Sequence, residues 1–370
     1  MLEVLFPNIN YAKLVVLALC LLLTLAITVC SGKLRRVSFG EAALYVFYIL
    51  ITSHFYLFSY NSVDSAEFQL YLGAIFLLTV YFCRNAIGTF SFILLIKRLS
   101  LWFSLLFVGA NILLVVVSYS SFVTSGNFYG LISNSNMLAA YFVVICIPSL
   151  FSFAFNESRP RKYLYWCFVA AAIIVLFLSR SRTGLLALIF LLFYMVFIWR
   201  KISISKKFIT AILLVFVATF SSVYFINKYE GQGVFSTRDK LFQLRFDAIS
   251  EKPFLGHGYG SQKYSQFDYF NIYNGQEKGN TLLAVFEEFG LVMGLAIMIL
   301  LVIALKRAIF LFGSSRETSV FAFSLITASV SLMFETWLFQ FSGLLSLYFW
   351  VLIILSFSLP KSKRWRATIN

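Results

Sequence analysis

The sequence predicts an all-α polytopic membrane protein of about eleven transmembrane helices, with one large outer loop containing short amphipathic helices. Three observations predict it. Of 370 residues, 61% are hydrophobic and only 12% charged, and mean hydropathy is +0.88, whereas soluble domains are about half apolar and about a quarter charged. Apolar runs close to the ~20 residues that a helix needs to cross a bilayer recur along the chain. Basic residues gather in alternate short loops, the asymmetry that orients membrane proteins. The length is therefore read as one membrane-embedded domain over 1–370 rather than as several soluble ones.

The expected spans lie near 14–30, 41–59, 66–83, 99–118, 136–155, 163–179, 184–199, 208–226, 281–305, 318–334 and 344–359. The stretch 86–96 (AIGTFSFILLI) is too short to span and is expected either at the interface or as an extension of a neighbouring helix. Twenty of the thirty basic residues fall in alternate loops and the tail, on the side expected to be cytoplasmic. The opposite short loops near 60–65, 119–135 and 335–343 contain no Lys or Arg. Eleven spans then place the N-terminus outside and the C-terminus inside.

The net charge of +15 follows from these loop clusters and not from a basic stripe on a soluble domain, so a nucleic-acid partner is not expected. Cys20, Cys30, Cys83, Cys146 and Cys167 all lie in apolar segments, as small core residues do. With only His54 and His257 in addition, no metal site is expected. The start, MLEVLFPNINYAK, lacks a basic n-region and does not read as a signal peptide.

Two places break the charge rule. SRSRTG (179–184) stands in a very short loop expected on the outer side, yet holds Arg180 and Arg182. It opens a span, so free backbone N–H groups, the positive end of the helix dipole and one or two guanidiniums would meet there, a combination suited to phosphate. The competing reading is a pair of arginines snorkelling to lipid headgroups. The second place is 227–280, the long outer loop between spans 8 and 9, expected to be periplasmic. Within it, Arg238 and Arg245 share one helical face with Leu241 and Phe242 between them, and Pro253 ends that helix. An amphipathic helix on the outer membrane surface would aim both arginines at the headgroups; a solvated basic helix is the alternative. GHGYG (256–260) follows as a glycine-rich turn.

Glu287 and Glu288 lie about two turns into the next apolar span, where a carboxylate needs a partner, water or a proton. One reading is a structural ion pair with a loop arginine; the other is a proton acceptor or site-organising group. Glu335, in the outer loop ETWLFQFSG, is a weaker candidate. No Walker A motif, H-E-x-x-H or metal-ligand spacing occurs, and neither metal nor cofactor is expected.

Several stretches together resemble the superfamily of bacterial O-antigen polymerases and O-antigen ligases, polytopic glycosyltransferases. GLISNSNMLAAYFVVICIP (130–148) is similar to its G-x-x-x-N-x-N-x-x-A segment and contains Asn136. LSRSRTGLLAL (178–188) is similar to its S-R-[ST]-[AG] motif and aligns Arg182 with the family arginine. Arg238 through KPFLGHGYGS, with Gly256 and Gly258, resembles the loop helix followed by P-x-x-G-x-G-x-G. NTLLAVFEEFGLVMGL matches Asn280, Glu288 and Gly290 to H-N-x-x-L-x-x-x-x-E-x-G-x-x-G. Where ligases of the family carry a histidine before that asparagine, this chain has Gly279, which favours a polymerase.

The resemblance implies a site at the outer face of the bacterial inner membrane. There a growing glycan would pass from undecaprenyl pyrophosphate to a sugar hydroxyl of another lipid-linked repeat unit. Arg180, Arg182, Arg238 and Arg245, with Asn136, Asn280, Gly256 and Gly258, would bind the substrates. Arg182 and Arg238 would also stabilise the leaving pyrophosphate, and Glu288 would serve as base. Expected partners are undecaprenyl-pyrophosphate-linked glycans, the lipid bilayer and a chain-length regulator protein. A ligase that transfers polymer to lipid A core, and a flippase or exporter of lipid-linked oligosaccharides, are the alternatives.

Overall fold

The computed structural model describes residues 73, 86–124, 126–132, 134–156, 161–199, 203–229, 236–258, 280–315, 318–335 and 344–358. The first two expected spans, all but residue 73 of the third, and the stretches 230–235 and 259–279 of the long loop lie outside these residues. Helices dominate the rest: α1 (Ala86–Ser118), α2 (Ser135–Asn156), α3 (Arg161–Ser179), α4 (Arg182–Ile198), α5 (Ile204–Tyr229), α6 (Ser236–Glu251), α7 (Thr281–Gly313), α8 (Ser319–Leu332) and α9 (Leu344–Ser358). A short antiparallel hairpin, β1 (Val123–Thr124) and β2 (Asn127–Phe128), joins α1 to α2. By length and composition, four stretches among the described residues are long and apolar enough to cross a membrane: Phe92–Phe122, α2, α3 and α7.

The expected short segment 86–96 is continuous with the span after it. Helix α1 passes straight through Lys97 and Arg98, and the Lys97 ammonium lies 4.9 Å from the centroid of the Phe153 ring on α2. The cation–π contact gives that charge a place on an apolar bundle, so the helix need not end there.

The described residues divide between two compact units. The first contains Ser91–Ser236 and Leu305–Glu335. Its centre is α2, whose apolar window is 89% buried, against 28% for the window of α1. Helix α2 packs on α3 and α8, and α4 packs on α5 and α8. Small residues make the approach close, as is common where lipid offers no hydrophobic drive for association. The hydroxyls of Ser152 and Ser319 meet at 3.4 Å, both fully buried. Gly184 of α4 faces Ala139 of α2 and Leu176 of α3 so closely that an added Cβ would stand 2.8 and 2.7 Å from their side chains. At one end of the unit aromatic and basic groups converge: Trp199 Nε1 donates to the Gly313 carbonyl (3.2 Å) and Lys206 Nζ to the Phe155 carbonyl (2.7 Å).

The second unit contains Thr237–Ala304 together with α9. Helix α6 ends at Glu251, a turn runs through 252–258, and α7 begins after Asn280. Helix α7 is broken at Gly290, whose φ of 66° and ψ of −177° lie far from helical values. A break inside an apolar helix strands backbone groups, and each stranded group in a water-poor setting must find another partner.

Candidate functional site

In the first unit the site begins at the α3–α4 junction. Only Arg180 and Ser181 separate the two helices. Arg180 has φ 53°, the sole non-glycine residue with positive φ among the described residues. That left-handed conformation ends helices well but normally belongs to glycine. Its amide donates to the Phe177 carbonyl (3.1 Å), and its exposed guanidinium lies against the backbone of Gly126 in the hairpin turn. A Cβ on Gly126 would stand 2.7 Å from Arg180 Nη1, and Gly126 itself has φ 77°. Gly126 is thus favoured by the turn, and a side chain there would also displace the guanidinium.

Arg180→Gly is expected to stabilise the protein by roughly 0.5–1 kcal/mol, because release of left-handed strain outweighs the added chain entropy. Thermal unfolding measures it. A lower midpoint would show that the guanidinium on Gly126 contributes more than the strain costs.

Ser181 caps α4: its Oγ accepts from the Gly184 amide (3.3 Å), and the residue is 1% exposed. Arg182 is therefore the first residue of the helix, half-buried at its positive end. The buried hydroxyl of Thr183 donates to Oε1 of Glu335 at 3.5 Å, which sets a carboxylate from the end of α8 beside the same helix start. That carboxylate is a weaker candidate in the sequence, and nothing in the sequence pairs positions 152 residues apart.

Asn136, expected to bind substrate, lies in the first turn of α2, where its amide is capped by Asn134 Oδ1 (2.8 Å). Asn134 accepts from Met137 as well (3.3 Å) and is the N-cap of α2. Gly130, at φ 54°, packs on the Asn111 side chain, whose Oδ1 accepts from the Leu131 amide (3.2 Å). The G-x-x-x-N-x-N segment is thus also a device that turns the chain into α2.

In the second unit, Arg238 lies in the first turn of α6 and Arg245 two turns on. Arg245 is buried. Its side chain is 1% exposed and pairs through Nη1 with Glu287 Oε2 on α7, itself 5% exposed. The sequence spacing put Arg245 on the face of Arg238, but the buried carboxylate decides where its charge is neutralised.

The glycine turn meets α7 at its break. With the helix interrupted, the Glu287 carbonyl accepts from the His257 amide (2.8 Å) and the Glu288 carbonyl from the Gly258 amide (2.9 Å). The Leu291 amide donates back to the Pro253 carbonyl (2.7 Å). Gly256 and Gly290, at φ 71° and 66°, touch backbone to backbone, leaving no room for a Cβ on either. The His257 ring sits against the end of α6, its Nε2 2.8 Å from the Ala248 carbonyl and 3.8 Å from Glu251 Oε2. Asn280, expected at the substrate, is the N-cap of α7; its Oδ1 accepts from Leu282 (2.8 Å) and Leu283 (3.2 Å). Glu288 is buried at 6% exposure, one residue beyond the ion pair.

Among the described residues no group of three or more His, Cys, Asp or Glu side chains converges as metal ligands would. What the first unit does present is arginine chemistry at a helix start, at Arg180 and Arg182, while in the second unit Arg245 is taken up in the buried pair with Glu287.

Comparison with known proteins adds to this geometry. No curated protein matches the chain. The sequence model of the family described as O-Antigen ligase matches residues 167–299, a stretch that takes in Arg182, α6, the glycine turn and the break in α7. Members of that family are glycosyltransferase-like membrane enzymes. The match over residues 167–299 is consistent with the O-antigen ligase and polymerase superfamily.

Proposed function

We propose that the protein polymerises lipid-linked oligosaccharide repeat units into a surface polysaccharide. The glycan on undecaprenyl pyrophosphate passes to a sugar hydroxyl of a second lipid-linked unit, at the outer face of the inner membrane. The observation that carries the reading is Arg182. It opens α4 at the helix's positive end, next to the left-handed Arg180, inside the matched stretch. A pyrophosphate leaving group gains charge as the glycosidic bond breaks, and guanidiniums aided by a helix dipole stabilise that charge. Arg238, in the first turn of α6, is assigned to binding of a lipid headgroup phosphate. Glu288 takes the proton of the attacking hydroxyl. The driving energy lies in the donor, so neither nucleotide nor metal is required.

Purified protein in bilayers, given lipid-linked repeat units alone, is expected to produce a ladder of longer glycans. If units only cross the bilayer without lengthening, an exporter replaces the polymerase. A second reading, a ligase that moves polymer to lipid A core, draws on the description of the matching family. Gly279, where the ligase pattern has histidine, weighs against it. The glycan of a strain lacking the protein separates the two: single repeat units on the core mean a polymerase, and unattached polymer means a ligase.

A further inference from the structure

The resemblance assigns Glu288 and Gly290 and leaves Glu287 without a role. Glu287 nevertheless makes two contacts at once, one through its side chain and one through its backbone. Its carboxylate pairs with Arg245 of α6, and its carbonyl, stranded by the break in α7, accepts from His257 of the glycine turn (2.8 Å). Three pieces of chain are thereby held at one residue: the loop helix, the turn that follows it, and the broken helix. Both ionic partners are almost fully buried. A buried pair of this kind contributes little net stability against an apolar pair of similar volume, but it fixes a single geometry.

We propose that Glu287 is a positioning residue for glycan transfer. By clamping α6 and the 252–258 turn onto the break, it fixes the backbone that carries Glu288, whose own carbonyl is held by the Gly258 amide (2.9 Å). The same clamp removes Arg245 from the headgroup-binding set and makes it the counter-ion of Glu287. The proposal rests on the transferase reading for its effect on turnover, but the clamp itself is a structural statement that can be measured separately.

The test uses the full chain in nanodiscs, with Glu287→Gln and with the double variant Arg245→Leu/Glu287→Leu. Hydrogen–deuterium exchange reads the amides of His257, Gly258 and Leu291. In Glu287→Gln these are expected to exchange at least about 10-fold faster, with α2 and α8 unchanged. Glycan lengthening should lose about 10-fold or more in kcat, with the KM for the lipid-linked donor within about 2-fold. The double variant, free of an unpaired buried charge, should recover thermal stability without recovering kcat. Unchanged exchange in Glu287→Gln overturns the clamp whatever the activity. Faster exchange with an unchanged kcat overturns the positioning role, as does a double variant that regains full kcat. If the unaltered protein lengthens no glycan, the polymerase reading fails, and the clamp is then decided by the exchange data alone.

Discussion

Replacing Arg182 by alanine is expected to reduce glycan lengthening about 10²–10³-fold, the loss typical when one group that stabilises a developing anion is removed. The protein should still accumulate and insert, because other groups also hold the start of α4. Ser181 supplies the cap through the Gly184 amide, and Thr183 holds Glu335. Arg182→Lys should fall between, keeping the charge and losing the planar fork that grips two phosphate oxygens. Measured on lipid-linked substrate, the Ala variant should lose turnover at matched protein levels. Normal chain length in Arg182→Ala would remove the pyrophosphate assignment from α4.

Gly290→Ala is expected to be strongly destabilising. Two costs add at one atom. The residue holds φ 66° and ψ −177°, a region essentially reserved for glycine, at about 1–3 kcal/mol for any other residue. The new methyl would also enter backbone space held by Phe254 and Gly256, and overpacking costs typically about 1–3 kcal/mol more. Relief is available only by lifting the turn away, which surrenders the bonds to Glu287 and Glu288. Gly256→Ala meets the same backbone from the other side and should behave alike. A thermal midpoint within a degree of the parent for either variant would contradict this packing. Gly294→Ala offers a comparison, because its nearest obstacle is a Phe286 ring edge rather than backbone.

The contrast between these two substitutions shows where sequence reasoning works. Arg182 was readable because charge in an apolar run is anomalous by position alone, and the cap that frames it, Ser181, is its neighbour. Helix α1 was only half readable: Lys97 and Arg98 looked like an end, and the Phe153 ring that accommodates Lys97 is more than fifty residues away. Arg245 was assigned by its seven-residue spacing from Arg238, but Glu287, not spacing, decides where it points. Asn280 and Asn136 stood out as motif residues; the structure gives Asn280 a capping task at α7, and the cap of α2 is Asn134, two residues before Asn136. The left-handed Arg180 had no sequence signal, since nothing marks a non-glycine residue for positive φ. The glycines at 256 and 290 were visible separately, while their mutual contact is a property of the folded chain.

That contact limits how the domain can be exchanged between proteins. The break in α7 leaves two carbonyls and an amide that only the preceding turn satisfies. Transplanted alone, the helix would carry unsatisfied dipoles into lipid and should either straighten or fail to insert. The turn without the break would have no acceptors for His257 and Gly258. A chimera that keeps the parent's behaviour should therefore have its junctions before α6 and after Leu291, so that Arg245, the turn and the break move as a single cassette.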